Sequence, residues 1–343
     1  MSGTEAQKDY CRRILPRVSR TFALGIELLR EPLRETVGVA YLICRILDTI
    51  EDTTTLPAGA RAELLERAGR ELADPGRWRN CCRAIGAAFP AEEFTGDEPE
   101  LCRRSSDVLA LYHRFPPAVR AAIAGPVGEM AGGMAETVRR ERSPGGLRLE
   151  TIGELEKYCY YVAGTVGVML TDLFRLDRPA IPAAAEAVLR PAGVDFGLGL
   201  QLTNIIKDVT DDISRGVSYL PRRLLEETGV RLEELLAEPG DPRARQVTAA
   251  LVRRAVPRLD RGLEYTLSIP AGERDLRLFC ALPLFFAVRT LGRAFEAGRV
   301  FGREPLKISR DEVSTIHRRL EEIAGRDGYL RREYDREMNR LKL

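Results

Sequence analysis

The stretch Gln201–Pro221 reads QLTNIIKDVTDDISRGVSYLP and contains three carboxylates at helical spacing. Asp208, Asp211 and Asp212 stand at i, i+3 and i+4, so on a helix they form one acidic stripe about a turn long. The apolar residues fall mostly on the other side of that helix, at Leu202, Ile205, Ile206, Val209 and Ile213. The stretch therefore predicts an amphipathic helix with a buried back and an acidic front.

A second stretch repeats this pattern nearer the N-terminus. Tyr41–Asp52 reads YLICRILDTIED, in which Asp48, Glu51 and Asp52 again stand at i, i+3 and i+4. Its apolar positions are Ile43, Ile46, Leu47 and Ile50. We predict that the two helices face each other and hold several divalent cations between their acidic stripes.

Divalent cations give a physical reason for crowding carboxylates in this way. Like charges at i and i+4 cost a helix roughly 0.2–0.5 kcal/mol per pair, and a bound Mg²⁺ reverses the sign of that interaction. Mg²⁺ takes about six oxygens, usually from one or two carboxylates, waters and substrate phosphates. Arg45 and Lys207 lie within a turn of the stripes, where they can add charge-assisted contacts to a diphosphate. The predicted metal ligands are Asp48, Glu51, Asp52, Asp208, Asp211 and Asp212.

Solvated helix faces are the alternative explanation of the two stripes. Charged residues make up 30% of the chain, so a single acidic stripe is common on the surface of such a protein. Two matched stripes, each on an apolar-backed helix with a basic residue within one turn, favour the metal-binding interpretation.

The overall composition disfavours several classes of protein. The 53 Lys and Arg nearly balance the 51 Asp and Glu, so the net charge gives no argument for nucleic-acid binding. The seven cysteines are scattered and form no CxxC pair, which favours reduced thiols in a cytoplasmic protein over a disulfide framework or a zinc site. The chain has two histidines, His113 and His317, which disfavours a histidine-based catalytic triad or a His-rich metal site.

The sequence predicts no membrane-spanning segment. The N-terminus lacks the apolar core of a signal peptide. The strongest apolar run, Leu278–Val288, is about half the length needed to cross a bilayer and contains Pro283. We expect a soluble cytoplasmic protein. If its substrate is apolar, peripheral association with the inner face of the membrane is also expected.

Helical periodicity runs through nearly the whole chain, and alternating strand patterns are scarce. The predicted helices cover residues 5–15, 20–29, 33–53, 58–72, 78–88, 98–113, 116–141, 151–175, 182–190, 195–213, 220–236, 243–265, 273–299 and 309–340. The breaks between them coincide with turn residues, as in the SPGG segment at 143–146. None of the breaks is long enough to be a domain linker, so residues 1–343 are predicted to form a single all-α domain.

Five motifs, in order along the chain, resemble the squalene/phytoene synthase family, the head-to-head branch of the all-α isoprenoid synthases. They are VSRTFA at 18–23, DTIED at 48–52, YCYYVAGTVG at 158–167, NIIKDVTDD at 204–212 with the following RG and YLP, and FCALP at 279–283. The last motif is more typical of squalene synthases than of phytoene synthases. The resemblance implies the isoprenoid (terpenoid) synthase fold, a single helical domain around a central cavity.

The resemblance also implies roles for individual residues. Tyr158 is expected near the proton-transfer step, together with catalytic carboxylates at Asp48, Asp52, Asp208 and Asp212. Substrate diphosphate is expected to bind at Ser19, Arg20, Phe22, Tyr41, Arg45, Gln201, Asn204, Lys207 and Arg215. A tunnel for the prenyl chain is expected at Val162, Gly164, Val166, Phe279 and Pro283.

Some of these residues have structural alternatives. Gly costs a helix roughly 0.5–1 kcal/mol relative to Ala, so Gly164 and Gly167 indicate a close approach to the backbone, by another helix or by a prenyl chain. Tyr158 is alternatively a buried tyrosine with a satisfied hydroxyl. Phe279 is either an ordinary core residue or part of a tunnel wall whose aromatic face stabilises a carbocation.

The implied reaction joins two farnesyl diphosphates head to head. Mg²⁺ and basic side chains withdraw one diphosphate, the second substrate attacks the allylic cation, and loss of a proton gives presqualene diphosphate. A second ionisation and hydride from NADPH then give squalene. In the alternatives of the same class, the enzyme stops at presqualene diphosphate or makes dehydrosqualene or phytoene without NADPH. A non-catalytic prenyl-binding subunit is the alternative from another class.

Two departures from the family pattern bear on the reductive half of that reaction. The family commonly has R-G-R before the end of the second acidic motif, and Val217 stands at the second arginine here. A phosphate contact is therefore missing or comes from Arg215, Arg222 or Arg223. Squalene synthases tend to have Gln after the FCALP-like motif, whereas this chain has Leu284.

Overall fold

The computed structural model describes residues 3–141, 147–297, 300–302 and 306–341, and these ranges are mostly helical. The α-helices are α1 (Gly3–Val18), α2 (Arg20–Glu27), α3 (Leu33–Asp52), α4 (Ala58–Glu71), α5 (Trp78–Ala88), α6 (Asp97–Arg103), α7 (Ser105–Tyr112), α8 (Pro117–Arg140), α9 (Ile152–Cys159), α10 (Thr165–Asp177), α11 (Glu186–Ser214), α12 (Arg222–Glu227), α13 (Leu232–Ala237), α14 (Pro242–Ser268), α15 (Arg274–Ala297), α16 (Arg310–Ile323) and α17 (Asp327–Met338). A π-helix, Tyr160–Gly164, joins α9 to α10, and two short strands, β1 (Leu147–Arg148) and β2 (Val217–Ser218), pair in parallel. The prediction of an all-α fold is confirmed.

Helix α11 runs without a break through Pro191, where the sequence predicted a gap between two helices. Pro191 is near the start of the helix, so its missing N–H removes a single bond of the helical ladder. Close packing of the next turns against a neighbouring helix outweighs that loss. The helix departs from helical geometry instead at Asp208, where φ is −106° and ψ is 15°.

Three other predicted helices are interrupted by short breaks. The predicted helix 98–113 divides at Arg104 into α6 and α7. The predicted helix 220–236 divides into α12 and α13 next to Gly229, whose φ of +68° favours glycine. The predicted helix 309–340 divides between α16 and α17. The break predicted at 143–146 lies outside the described residues.

Contacts within the chain define two compact units. The first unit comprises Met1–Arg139 and Val168–Pro179, and the second comprises Arg140–Gly167 and Ala180–Leu343. The single domain and the central cavity expected from the sequence stay predictions.

Helix α3 is the central helix of the first unit. Its predicted apolar back is confirmed, because Ile43, Ile46, Leu47 and Ile50 are each at most 2% exposed. Helices α1, α2, α4, α6 and α7 pack around it. This packing fixes the direction in which the opposite side of α3 presents its charged side chains.

Helix α11 has the corresponding place in the second unit, where it packs along α14. Four of its five predicted apolar positions are buried, and Ile213 is half-buried near the end of the helix. The two helices approach closely at Gly199, where an added Cβ would lie 3.1 Å from the backbone nitrogen of Leu259. The back of the second acidic helix is therefore also held by tight packing.

Helix α15 belongs to the second unit and contains the apolar run noted in the sequence. Among the described residues it is the segment long and apolar enough to cross a membrane by length and composition, with a mean hydropathy of 1.5. However, 72% of that window is buried inside the protein. A core helix of a globular protein has this combination of composition and burial.

Candidate active site

The first acidic stripe lies in the last turns of α3, and its three carboxylates have different surroundings. The Asp48 side chain is 35% exposed, and Asp52 is exposed. Glu51 is only 5% exposed, because it lies about 100° around the helix from Asp52 and faces the buried back. Asp48 and Asp52 therefore form the accessible pair, and the role of Glu51 as a metal ligand stays a prediction.

Arg45 lies one turn before this pair and contacts two carboxylates. Its Nη1 lies 3.8 Å from Asp48 Oδ2, and its Nη2 lies 3.3 Å from Glu98 Oε1 on α6. The protein around Asp48 raises the pKa of its carboxyl to about 7, because it removes water from the charged form. The positive charge of Arg45 lowers this pKa, whereas the negative charge of Asp52 raises it further. A nearby divalent cation would favour the ionised carboxylate.

The motif VSRTFA places polar and aromatic groups beside the same side of α3. The Ser19 Oγ accepts a hydrogen bond of 3.2 Å from the Phe22 backbone N–H and so caps the start of α2. Burial raises the pKa of Tyr41 to about 12, and a hydrogen bond with Ser19 acts in the opposite direction. The rings of Phe22 and Tyr41 lie 5.6 Å apart. Tyr41 stands one turn before Arg45, so it lies on the same side of α3. The Arg20 side chain lies outside the described part of the chain.

The second acidic stripe lies at the end of α11, where the helix departs from regular geometry. Lys207 Nζ donates a hydrogen bond of 2.6 Å to Asp208 Oδ2. Arg215 Nη2 donates a hydrogen bond of 2.6 Å to Asp212 Oδ1, and the Asp212 side chain is 10% exposed. Asp211 is exposed. The second stripe thus resembles the first in having basic side chains in direct contact with its carboxylates.

Two amide side chains precede the second stripe on the same helix. Asn204 is exposed and Gln201 is half-buried. They stand four and seven residues before Asp208, so they lie on the same side of α11. The structure therefore brings together, within the second unit, the diphosphate-binding residues that the sequence predicted for this helix.

The segment after the second stripe is held in place by backbone pairing. Strand β2 pairs with β1, and the Arg222 backbone N–H donates to Leu149 O at 2.8 Å. The Arg222 side chain donates a hydrogen bond of 2.8 Å to Glu150, and Arg223 acts on the same carboxylate by its charge. Arg222 and Arg223 were two of the candidates for the phosphate contact that the family's second arginine would make. Both already interact with the carboxylate of Glu150.

Tyr158 lies at the end of α9 and contacts a residue that sequence reasoning missed. Its hydroxyl donates a hydrogen bond of 2.9 Å to the hydroxyl of Tyr219, and the two rings stack with their centroids 4.4 Å apart. Both residues are buried, at 6% and 7% exposure. Tyr219 belongs to the YLP segment after the second stripe, and that position in the motif was the one signal that could have identified it.

The glycines of YCYYVAGTVG are packed against α11. A Cβ added at Gly164 would lie 2.8 Å from Tyr160 and 3.0 Å from Leu198, and one added at Gly167 would overlap the carbonyl oxygen of Gly193. Of the two alternatives for these glycines, another helix therefore accounts for the close approach. The π-helix at Tyr160–Gly164 widens the helical turn beside this contact, and such segments are frequent at functional sites.

The other predicted tunnel residues differ in burial. Val162, Val166 and Pro283 are half-buried, and Phe279 is 6% exposed. Pro283 lies inside α15 without ending it. Their role as tunnel residues stays a prediction.

The donor chemistry of both stripes fits Mg²⁺. Among the described residues, no three His, Cys, Asp or Glu side chains are grouped closely enough to hold a metal by themselves. Mg²⁺ does not need such a cage, because it commonly binds through one or two carboxylates, waters and substrate phosphates. Asp48 with Asp52, and Asp208 with Asp212, supply hard oxygen donors one helical turn apart. The expectation that the two stripes face each other stays a prediction.

Known sequences similar to this chain include curated squalene synthases. A family profile described as squalene/phytoene synthase matches residues 15–312. Squalene synthase 1 of Arabidopsis thaliana is 29% identical over 93% of this chain and 73% of its own length. The squalene synthase of Eremothecium gossypii is 31% identical over 86% of this chain and 64% of its own length.

Solved structures of similar fold agree with these sequence matches. The complex of TcSQS with the ligand BPH1237 has a TM-score of 0.81 and 26% identity, over 98% of this chain and 96% of that chain. A dehydrosqualene synthase in complex with a ligand has a TM-score of 0.66 over 93% of this chain and 96% of that chain, and at 22% identity it supports the fold alone. The helical architecture is the isoprenoid synthase fold. The chain belongs to the squalene/phytoene synthase family, a family of prenyltransferases.

Proposed function

We propose that this protein catalyses Mg²⁺-dependent head-to-head condensation of two farnesyl diphosphates through presqualene diphosphate. One observation carries the proposal: each acidic stripe keeps accessible carboxylates in contact with a basic side chain. Arg45 contacts Asp48, and Lys207 contacts Asp208. A diphosphate site uses both kinds of group. The carboxylates hold Mg²⁺ ions that bind the diphosphate, whereas the basic side chains bind its oxygens directly.

The metal ligands that we propose are carboxylates at the ends of α3 and α11, Asp48 and Asp52 in the first stripe and Asp208, Asp211 and Asp212 in the second. When bound, Mg²⁺ would neutralise the charge that develops on the departing diphosphate. Arg45, Lys207 and Arg215 are half-buried or exposed, so each can exchange a carboxylate partner for a phosphate oxygen. This preorganised charge favours the transition state in which the bond between carbon and diphosphate breaks.

The hydroxyl of Tyr158 is proposed to act at the proton-transfer step. The first condensation forms a carbon–carbon bond, releases diphosphate and loses one proton as the cyclopropane closes. The diphosphate released in the same step is the final acceptor of this proton, and the Tyr158 hydroxyl, oriented by the hydrogen bond that it donates to Tyr219, is proposed to relay it. The buried position of both rings excludes water, which would otherwise capture the cation.

Squalene, formed with NADPH, is the product that the family resemblance favours. Val217 stands where the family commonly has a second arginine, so the residue that would contact the phosphate of NADPH is not assigned. We therefore derive no step through NADPH from the structure. Release of presqualene diphosphate, or formation of dehydrosqualene or phytoene, is the alternative outcome.

Product analysis distinguishes these outcomes. Purified protein is incubated with labelled farnesyl diphosphate, with and without Mg²⁺ and with and without NADPH, and the products are identified by mass spectrometry. A parallel series uses the C20 diphosphate. Squalene that forms only with both additions supports the proposal in full, and a product unchanged by NADPH contradicts the squalene assignment. Absence of any head-to-head product contradicts the proposed condensation.

A non-catalytic prenyl-binding subunit is the alternative from another class. One relative, 30% identical, is named inactive squalene synthase 2 of Arabidopsis thaliana, so membership of the family does not by itself establish catalysis. Retention of both acidic stripes favours an active enzyme here. Wild-type protein that binds farnesyl diphosphate but releases no diphosphate would support the subunit alternative, whereas loss of diphosphate release in Asp48→Ala and Asp208→Ala would contradict it.

The prenyl chains of the proposed substrates also bear on where the protein works. We propose a cytoplasmic protein that associates peripherally with the inner face of the membrane, since its hydrocarbon products partition into lipid. Co-sedimentation with liposomes measures this association. Protein that stays in the supernatant with liposomes loaded with product contradicts it.

A further inference from the structure

We propose that Arg61 is a positioning residue for the first acidic stripe and that it sets the Mg²⁺ concentration at which this stripe is filled. The inference rests on the proposed function, because it assumes that Asp48 and Asp52 bind the metal. It adds a residue outside the five sequence motifs, on α4. It also gives the buried Glu51 a role as an anchor of the helix rather than as a metal ligand.

A buried hydrogen bond joins the start of α4 to the end of α3. Arg61 is only 7% exposed, and its Nη1 donates a buried hydrogen bond of 2.5 Å to the backbone carbonyl oxygen of Glu51. Carbonyl groups in the last turn of a helix have no partner within the helix. A guanidinium is always charged and presents several donors in a fixed plane, so it suits this position.

The end of α3 needs such an anchor because the chain leaves the helix directly after the stripe. Asp52 is the last residue of α3, and Thr53 is extended with φ −68° and ψ 128°. Helix ends fray unless their terminal groups are held. Any loss of the last turn would move Asp52 relative to Asp48, which stands one turn earlier.

Glu51 strengthens the same anchor. It is 5% exposed and carries a charge opposite to that of Arg61, whose guanidinium reaches its backbone. Buried charges are retained in proteins when they are paired or bind metals. Glu51 faces the protein interior while Asp48 and Asp52 keep access to solvent, so its position suits an anchor of the helix better than a metal ligand.

Mg²⁺ binding is sensitive to this kind of support. The ion demands near-ideal octahedral geometry, and loss of residues that orient its ligands typically reduces metal affinity about 10–100-fold. Replacement of Arg61 is therefore expected to raise the half-saturating Mg²⁺ concentration. The carboxylates themselves stay in place, so saturating Mg²⁺ is expected to restore much of the binding.

The test measures thermal stabilisation by MgCl₂ at a fixed concentration of inorganic pyrophosphate, in the wild-type protein and in Arg61→Lys and Arg61→Met. Arg61→Met is expected to raise half-saturating Mg²⁺ about tenfold. Arg61→Lys keeps the charge but lacks the planar fork, and a smaller rise is expected. Steady-state assays at low and saturating Mg²⁺ provide a second readout.

Arg277 provides a matched control in the second unit. It is 2% exposed and donates to the carbonyl oxygens of Leu267 and Ile269, at 3.1 Å and 2.7 Å, around the end of α14. Arg277→Met and Arg277→Lys remove the same kind of buried contact from a helix without an acidic stripe. They are expected to lower the unfolding temperature and to leave half-saturating Mg²⁺ unchanged.

The outcomes separate this inference from the proposed function. If the Arg61 variants lose thermal stability but keep the wild-type Mg²⁺ requirement, as the Arg277 variants should, the inference is overturned. If Arg61→Met does not fold, a wild-type Mg²⁺ requirement in Arg61→Lys overturns it. If the wild-type protein itself shows no stabilisation by Mg²⁺ with pyrophosphate, the proposed metal site fails first.

Discussion

The hydroxyl of Tyr158 donates a hydrogen bond of 2.9 Å to the hydroxyl of Tyr219, and the two rings stack at a centroid distance of 4.4 Å. Tyr158 lies in the last turn of α9 and Tyr219 follows β2, so the contact joins two residues that are 61 positions apart in the chain. The strand pairing of β2 with β1 fixes one side of this contact. The geometry makes Tyr219 the residue that orients the Tyr158 hydroxyl.

Removal of either hydroxyl should therefore reduce activity by different amounts. Tyr158→Phe removes the proposed proton relay, and acid–base groups contribute about 10²–10⁴-fold to rates, so a loss of that size in kcat is expected. Tyr219→Phe keeps the stacked ring and removes only the orienting partner, so a smaller loss is expected. Both rates are measured as product formation from farnesyl diphosphate.

Tyr334→Phe is the control for the two tyrosines. Tyr334 is 2% exposed and its hydroxyl donates to Asp260 Oδ1 at 2.9 Å. Each of the three substitutions removes one hydrogen bond, which contributes about 0.5–1.5 kcal/mol to the free energy of unfolding. Only Tyr158→Phe and Tyr219→Phe should lower kcat. An equal kcat in all three variants contradicts the role of the pair.

Asp52→Asn should separate stability from activity. Above the pKa of Asp48, which is about 7, Asp48 and Asp52 are like charges at i and i+4, so at a pH of about 8 and without Mg²⁺ the substitution is expected to raise the free energy of unfolding by about 0.2–0.5 kcal/mol. Release of diphosphate should be lost, since a metal ligand is removed. Urea unfolding without Mg²⁺ measures the effect on stability, and a diphosphate-release assay with Mg²⁺ measures the effect on activity.

Asp9→Asn is the control of opposite sign. Asp9 accepts a hydrogen bond of 3.0 Å from Arg13 at i and i+4 on α1, so its loss should lower the free energy of unfolding by about 0.3–0.5 kcal/mol. Activity should not change. Full activity in Asp52→Asn would remove the metal-binding interpretation of the first stripe.

Gly167→Ala tests the close contact between α10 and α11. The added methyl group would overlap the carbonyl oxygen of Gly193, and overpacking of this kind costs about 1–3 kcal/mol or more. Gly132→Ala on α8 is the control, because no atom lies within 4 Å of the added Cβ. That change should stabilise the protein by about 0.4–1 kcal/mol. Thermal unfolding of both variants measures the difference, and equal unfolding temperatures contradict the packing.

Ser19→Ala should affect both stability and substrate binding. The Ser19 Oγ caps α2 through the Phe22 N–H, and loss of such a cap costs about 1 kcal/mol. Because Ser19 also hydrogen-bonds Tyr41, beside the proposed diphosphate site, KM should rise as well. Ser309→Ala removes a cap of equal length, 3.2 Å to the Glu312 N–H, and should leave KM unchanged. An equal KM in both variants contradicts a role of Ser19 in binding.

The sequence predicted the helices correctly where the helical pattern of apolar residues continues over several turns. It was wrong where packing against another helix outweighs the conformational preference of the local residues. A gap was predicted between residues 190 and 195, yet Gly193 within it allows the unbroken helix α11 to pack against Gly167. The departure from helical geometry at Asp208 had no signal in the residue pattern. The unbroken helix at Gly193 is stabilised by a contact with a residue distant in sequence.

The sequence by itself determined the all-α class, the family and the two acidic stripes, because helical periodicity and motif spacing are properties of neighbouring residues. Tertiary structure decided which carboxylates face solvent, since Glu51 and Asp48 share a motif but differ in burial. It also joined Tyr158 to Tyr219 and Arg61 to Glu51. Contacts of that kind depend on how helices pack, and no spacing along the chain encodes them locally.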